Sequence, residues 1–397
     1  MFLPRQSLAL LDPLQWQEQH DEHRAIYKST LRFVEQSIKP NLHRWEQEGM
    51  LPRELHREAG AVGITGLGFP EAFVGTPADS WSRALVTWAL SQAGAGGVIA
   101  GLMSHSIMVW PLAVAGSKRI QSCELPQLLR GELIGSLCVT EASGGSDVAA
   151  IQTMAVACEQ GWKLNGSKMY ITSGMRADIL LVAARTGSKG SQGISLFAVP
   201  GNAAGLSRKP LDKTGWLCSD TAALFFDDVF LPHDALVGEL NRGFPLVMQN
   251  FNAERLFMAV QALAMASVCL EESLAWAWSR QSFGQSLIQH QVIRHKFSNM
   301  LQSIIPCIHW ARRLCHAMDQ GQANAGEIAL LKNAATRCMR DVADQAIQVL
   351  GGQGFMRSSA TERIYREVKV MMIGGGADEI MLGIICKFEG TLPKKAR

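Results

Sequence analysis

"GWKLNGSKMYITSG", residues 161–174, decides the fold class. Apolar and polar residues alternate on both sides of Asn165-Gly166, a pair that accepts the positive φ angles of a tight hairpin, so the stretch predicts strand–turn–strand. Downstream, "ILLVAAR" (179–185), "ISLFAVP" (194–200) and "AALFFDDVFLP" (222–232) are short apolar or alternating runs bounded by Gly, Pro and Ser. They predict further strands of one compact β domain over about 127–240. On the N-terminal side, "EHRAIYKSTLRFVEQSI" (22–38) and "LPRELHREAGAVGI" (51–64) carry apolar residues at three- and four-residue intervals, a helical period. After Gly243-Phe244-Pro245 the chain reads as helix again, and Leu256–Leu270 holds no charged residue, Gly or Pro, as a helix buried on most sides would. The expected architecture is α+β: an N-terminal helical domain (1–126), a middle β-barrel or sandwich domain (127–240) and a C-terminal helical bundle (241–397).

The 397 residues, 47% hydrophobic and 18% charged, suffice for a well-cored protein of two or three domains. Net charge is +3 and the longest basic run, Lys394-Lys395-Ala-Arg397, is a terminal tail, so no nucleic-acid groove is expected. Nine scattered cysteines without a C-x-x-C pair fit reduced thiols in a cytoplasmic protein and suggest no metal site. The leading "MFLPRQSLALL" is broken by Pro4 and Arg5 and offers no signal-peptide core. No Asp, Glu, Lys or Arg occurs from Ala84 to Ser117, but "SQAGAGG" interrupts that stretch, so two core helices joined by a glycine turn are expected rather than a membrane span. Gly94-x-Gly96 lacks the third glycine of a dinucleotide fingerprint, where Ile99 stands.

"MMIGGGADEI" (371–380) puts three glycines before an acidic pair. Taken alone, the run admits a phosphate cradle, a helix stop and turn, or a place where a side chain has been given up. The acidic Asp378-Glu379 pair argues against the cradle.

In the middle block, "CVTEASGGSDVAAIQT" (138–153), "LNGSKMYITSG" (164–174) and "KTGWLCSDTAALFFDDVFLP" (213–232) resemble the acyl-CoA dehydrogenase family in order and spacing. "RQSFGQSLIQHQ" (280–291), "QVLGGQGF" (348–355) and "ERIYREVKVMMIGGGADEI" (362–380) extend the resemblance over roughly residues 25 to 390. The resemblance implies the helical–β–helical fold derived above, bound FAD and oxidation of an acyl thioester at Cα–Cβ. It assigns Cys138 to cofactor binding, Val139 and Thr140 to the flavin ring edge, Gly145 and Ser146 to the diphosphate, Tyr170 to the flavin face (where many relatives carry Trp) and Thr172 to the neighbourhood of N5. Arg280, Phe283 and Gln291, and on the adenosine side Gln348, Gly351 and Gly352, match segments that reach the FAD of a neighbouring subunit, so a homotetramer or homodimer is implied. Ala377 and Glu379 are further FAD contacts on this basis. Two departures stand out: Ala142 replaces the usual proline after Thr-Glu, and "PEAFVG" (70–75) has one glycine where relatives commonly have two.

α,β-Dehydrogenation needs a base for the weakly acidic α-proton. In many relatives it is a glutamate just before the Gly-Thr that follows "YRDxKxxxI"; aligning Tyr365, Arg366, Lys369 and Ile373 places Gly375 there. A branch resembling isovaleryl- and long-chain-type enzymes instead carries a Glu-Arg on the helix after the β domain, and "FNAERLFMA" (251–259) supplies Glu254-Arg255. A carboxylate heading a fifteen-residue uncharged run should be partly desolvated and more basic. The glycine triplet then reads as vacated space for an acyl chain, with the Gly375 amide on the thioester carbonyl; Asn252 and Arg255 match positions near the thioester or CoA, and Arg255 is equally a structural pair for Glu254. The expected function is FAD-dependent acyl-CoA dehydrogenation, with Glu254 taking the pro-R α-proton by family resemblance and an electron-transfer flavoprotein as acceptor. A dehydrogenase or oxidase of carrier-protein-tethered acyl or aminoacyl thioesters, and a non-catalytic flavin-binding scaffold, are the alternatives.

Overall fold

The computed structural model describes residues 8–15, 20–357, 359–388 and 390–391; the leading "MFLPRQS" and the basic tail lie outside them. The chain has a helical N-terminal domain, a β-sheet middle domain and a helical C-terminal domain, α+β overall. It packs as two compact units drawn from separated segments: one from 1–38, 79–96 and 252–397, the other from 39–78 and 97–251.

The helices are α1 (Asp21–Phe33), α2 (Leu42–Glu48), α3 (Arg53–Ala61), α4 (Ser80–Ser91), α5 (Gly96–Ala115), α6 (Leu125–Leu129), α7 (Gly243–Ser279), α8 (Gln291–Asp319), α9 (Ala325–Leu350), α10 (Ala360–Ile373) and α11 (Asp378–Phe388). The stretch without charged residues forms α4 and α5, two helices separated by a turn at Gly94, whose φ of +68° suits glycine. α5 and α7 are each long and apolar enough to cross a membrane, but 83% of the most apolar window of α7 is buried inside the protein, the behaviour of a core helix. From Val260 to Leu270 every residue of α7 is buried, which explains why that run needs no charge.

The middle sheet runs β1 (Gly135–Cys138), β2 (Met154–Cys158), β3 (Gly161–Thr172), β4 (Ile179–Arg185), β5 (Ile194–Pro200), β6 (Leu206–Pro210), β7 (Thr221–Pro232) and β8 (Leu236–Val237). Strand order is β6-β7-β3-β2-β4-β5-β8, with β1 parallel to β4. One expectation is corrected here. Asn165-Gly166 is not a hairpin turn but lies inside the single twelve-residue strand β3, where the pairing with β7 slips between Leu164 and Gly166. Asn165 exchanges two hydrogen bonds with Asp228 at the slip, each 2.8 Å, so its side chain completes a bulge rather than a reversal. The true hairpin reverses at Glu159-Gln160, between Cys158 and Gly161.

The unit holding the sheet also buries a polar cluster. Arg176 donates to Asp220 (2.7 Å) and to the carbonyls of Leu51 (2.6 Å) and Gly101 (3.4 Å), and His56 Nε2 meets the same Gly101 carbonyl at 2.9 Å. His105, on α5, is 1% exposed, and among the described residues neither ring nitrogen makes a well-formed hydrogen bond. Burial pushes its pKa down to about 4, the nearby Leu128 carbonyl opposing only in part. An unfolded histidine titrates near 6.5, so the unfolded chain binds more protons below that pH and stability falls as pH drops from about 6.5 towards about 4. The expected cost at this residue is on the order of 3 kcal/mol at the acid end. Urea unfolding at pH 7.5 and pH 5 should show about 2 kcal/mol of this loss, and His105→Leu should remove part of it; an unchanged pH dependence in the variant refutes the assignment.

Candidate functional site

In the unit holding the sheet, the loop after β1 is anchored by one buried cation. Lys168 is fully buried and donates to the Val139 carbonyl (3.0 Å) and to Glu141 Oε1 (2.8 Å). Glu141 accepts in addition from the backbone amides of Gln152 (2.7 Å) and Thr153 (2.9 Å), closing the loop 141–153 onto β3. Burial works against ionisation of Glu141, but Lys168 and these donors outweigh it and hold the carboxyl below the ordinary range. Met169 N donates to the Thr140 carbonyl at 2.9 Å, so Val139 and Thr140 are carried on the edge of β3. The side chain of Cys138 lies in the sheet core, and what it offers a ligand is backbone. Gly145 and Ser146 are exposed at the loop crest, and open space surrounds the neighbouring Gly144 where a Cβ would stand.

A second slip in the β3–β7 pairing, between Lys168 and Ile171, throws Tyr170 outward: its φ is +62° and it is 67% exposed. A non-glycine residue in this region stores about 1 kcal/mol or more. Bulges re-aim side chains at the cost of ladder hydrogen bonds, and here the aimed group is an aromatic ring. Thr172 closes the strand, its carbonyl accepting from Ser136 Oγ at 2.6 Å. An exposed flat ring and an open loop crest are features that suit a flavin and its diphosphate.

In the other unit, Glu254 lies on α7. Part of the residue remains accessible, but its Oε2 is sealed from solvent and has no hydrogen-bond partner among the described residues. Burial pushes its pKa up to about 7, while Arg255 and then Lys332 pull in the opposite direction. Arg255, 8% exposed, donates from Nε to the Gly375 carbonyl (2.9 Å) and from Nη1 to Asn252 Oδ1 (3.4 Å). The structure thus brings Asn252, Glu254, Arg255 and Gly375 into one cluster. Lys332, on α9, joins it by donating to the Gly376 carbonyl at 2.9 Å. Sequence reasoning missed Lys332; the available signal was a lysine among the buried Ile328, Leu331, Ala335 and Met339 of α9.

The glycine run is a left-handed turn between α10 and α11. Gly374 N caps α10 on the Val370 carbonyl, and Gly375 and Gly376 take φ of +65° and +108°. A Cβ on Gly375 would stand 2.6 Å from Met258 Sδ, and one on Gly376 2.5 Å from Met381 Cε. The space expected for an acyl chain above these glycines is therefore filled by two flexible thioethers. Met258 sits one turn after Glu254 on the same face of α7. The Gly375 amide makes no hydrogen bond among the described residues. Ala377 is half-buried and Glu379 exposed beside the turn, whereas Asp378 is buried and paired with Arg337 at 3.1 Å.

The remaining assigned residues do not join Glu254. Arg280 follows α7, and 25 residues separate Glu254 from the helix end at Ser279, about 38 Å of rise. Phe283 tips a two-residue turn between β9 (Gln281–Ser282) and β10 (Gln285–Ser286) and is 95% exposed; Gln291 opens α8. Gln348, Gly351 and Gly352 are exposed at the end of α9, with open space around both glycines.

Gly375→Ala should displace Met258 and force a β-carbon into the left-handed region, lowering stability by about 1–2 kcal/mol. Met258→Ala should lower the additional cost of the alanine, a coupling that a double-mutant cycle of urea midpoints reads directly; strict additivity contradicts the contact.

Comparison with known proteins gives this arrangement its setting. The N-terminal, middle and C-terminal domains of acyl-CoA dehydrogenases match residues 20–132, 136–229 and 241–389. The long-chain specific acyl-CoA dehydrogenase of Rattus norvegicus mitochondria is 33% identical over 371 residues, 92% of this chain and 86% of the relative. Among solved structures, a Mycobacterium abscessus protein assigned as an acyl CoA dehydrogenase is 41% identical with a TM-score of 0.92, covering 94% of this chain and 100% of that one. A glutaryl-CoA dehydrogenase from Mycobacterium smegmatis, solved in complex with FADH2, is 26% identical with a TM-score of 0.91, covering 98% and 100%. With three domain matches in order and relatives aligned over nine-tenths of its length, the chain belongs to the acyl-CoA dehydrogenase family.

Proposed function

We infer that the protein is an FAD-dependent acyl-CoA dehydrogenase that converts an acyl-CoA thioester to the trans-2-enoyl-CoA, with Glu254 as the base. The observation that carries this reading is the Glu254 carboxyl: withdrawn from water, unpaired at Oε2 and brought to a pKa of about 7 by burial. A general base works best when its pKa lies near the working pH, and an ordinary surface glutamate is far too weak. Glycine stands at 375, so the alternative position for the base carries no carboxylate.

The substrate end is built by this chain. The free Gly375 amide donates to the thioester carbonyl, which stabilises the charge that develops as Glu254 withdraws the α-proton. Asn252 and Arg255 hold the thioester or CoA portion, while Met258 and Met381 bend around the acyl group. FAD, when bound, supplies the hydride acceptor for Cβ through N5. Val139, Thr140 and Thr172 would hold its ring edge with the Cys138 backbone, Tyr170 would cover its face, and Gly145 and Ser146 would admit its diphosphate.

Arg280, Phe283, Gln291, Gln348, Gly351 and Gly352 serve the cofactor of another copy. The length of α7 supports this reading, because Arg280 is farther from Glu254 along the helix than one dinucleotide reaches. The working form is thus a homotetramer or homodimer, with an electron-transfer flavoprotein as acceptor.

Glu254→Gln should remain a yellow protein whose anaerobic bleaching by acyl-CoA slows by about 10³-fold or more. In the wild type the bleaching rate should rise with pH through a midpoint near 7, because the carboxyl must be ionised to act. Stopped-flow absorbance with a panel of acyl-CoA and pantetheinyl-protein thioesters measures both and identifies the carrier. Bleaching of Glu254→Gln at the wild-type rate removes the base assignment.

A further inference from the structure

A lysine sealed from water at the centre of a helical bundle demands an explanation, since removing an ammonium from solvent costs several kcal/mol. Lys332 is 0% exposed, and among the described residues its ammonium donates one hydrogen bond, to a neutral carbonyl, that of Gly376. The adjacent carbonyl, Gly375, is held in the same way by Arg255. Two cations, from α9 and α7, therefore grip consecutive carbonyls of a left-handed turn that only glycine adopts easily. The turn lies against Met258, one helical turn beyond Glu254, so this grip and the carboxyl share one wall.

We propose that Lys332 is a positioning residue for Glu254: it clamps the glycine turn and, with Arg255, supplies the positive field that keeps the buried carboxylate ionised. The inference rests on the reading of Glu254 as the base. The groups facing this cluster are Glu254 and Arg255 on α7, Lys332 and Arg337 on α9, and Asp378 and Glu379 on α11. Asp378 is shared: Arg337 binds its carboxylate at 3.1 Å, Asn333 donates to its carbonyl at 3.0 Å, and its charge also favours the Lys332 ammonium. Burial pushes the Lys332 pKa down to about 8, with Asp378 opposing most strongly, so the ammonium persists at neutral pH. Its charge and that of Arg255 are the two influences that lower the Glu254 pKa against burial. A lysine acting only as a turn staple would leave the titration of Glu254 untouched, and that difference is measurable.

Lys332→Gln keeps a donor for the Gly376 carbonyl and removes the charge; Lys332→Met removes both, and Lys332→Arg restores the charge. The carboxylic-acid carbonyl band that disappears in Glu254→Gln reports Glu254 directly in infrared difference spectra across pH, with or without turnover. In Lys332→Gln its midpoint should rise by about one pH unit, a roughly fivefold loss of ionised sites at pH 7, and Lys332→Arg should bring it back. The bleaching-rate profile should move by the same amount. An unmoved midpoint in folded Lys332→Gln overturns the proposal, and Lys332→Met decides the matter in the same way if the glutamine variant does not fold. Should Glu254→Gln bleach at the wild-type rate, the base assignment fails while the infrared titration still tests the lysine's effect.

Discussion

A carboxyl oxygen withdrawn from water without a hydrogen bond is the constraint around which the helical unit is organised. Leaving such a group uncompensated costs several kcal/mol, and proteins normally avoid it or protonate it. Here Glu254 is brought to a pKa of about 7 by burial, with Arg255 and Lys332 opposing. Neither cation is free to collapse onto it as a closed salt bridge, because each is tied to a glycine carbonyl. A carboxylate held near a positive field but without a direct hydrogen-bond partner keeps its basicity, which suits the proton abstraction proposed for it.

The glycine triplet gains a different meaning from this geometry. It is not empty space alone. Two of its residues take left-handed angles so that their carbonyls can turn towards the cations, and methionines close over the missing β-carbons. Methionine suits that position because its thioether has three soft torsions and can yield to a chain of variable shape.

The sheet applies the same principle to backbone rather than to a proton-transfer group. Lys168 is buried to bind Glu141 and the Val139 carbonyl, which pins the loop that displays Thr140, Gly145 and Ser146. The register slip beside it spends ladder bonds and φ strain to turn Tyr170 outward. Strain of this kind persists only where surrounding structure over-determines it, and the Lys168–Glu141 network provides that over-determination.

Much of this was legible in the order of residues. The helical, β and helical blocks follow from apolar periodicity, and the burial of α7 from its uncharged run. Glu254 stands out through the resemblance to family members with Glu-Arg on this helix, together with glycine at 375 and the uncharged run that follows. The hairpin assigned to Asn165-Gly166 was misread because a bulge and a turn ask for the same residues, and only the partner strand distinguishes them. Lys168 and Lys332 were invisible as site residues, since a lysine in a strand or helix ordinarily faces water. Their burial depends on Glu141 from 27 positions away and on the Gly376 carbonyl from 44. Local pattern thus determined which segments fold and which chemistry is present. Tertiary contact alone decided the ionisation of that chemistry, because the desolvation and field felt by a buried group come from atoms distant in the chain.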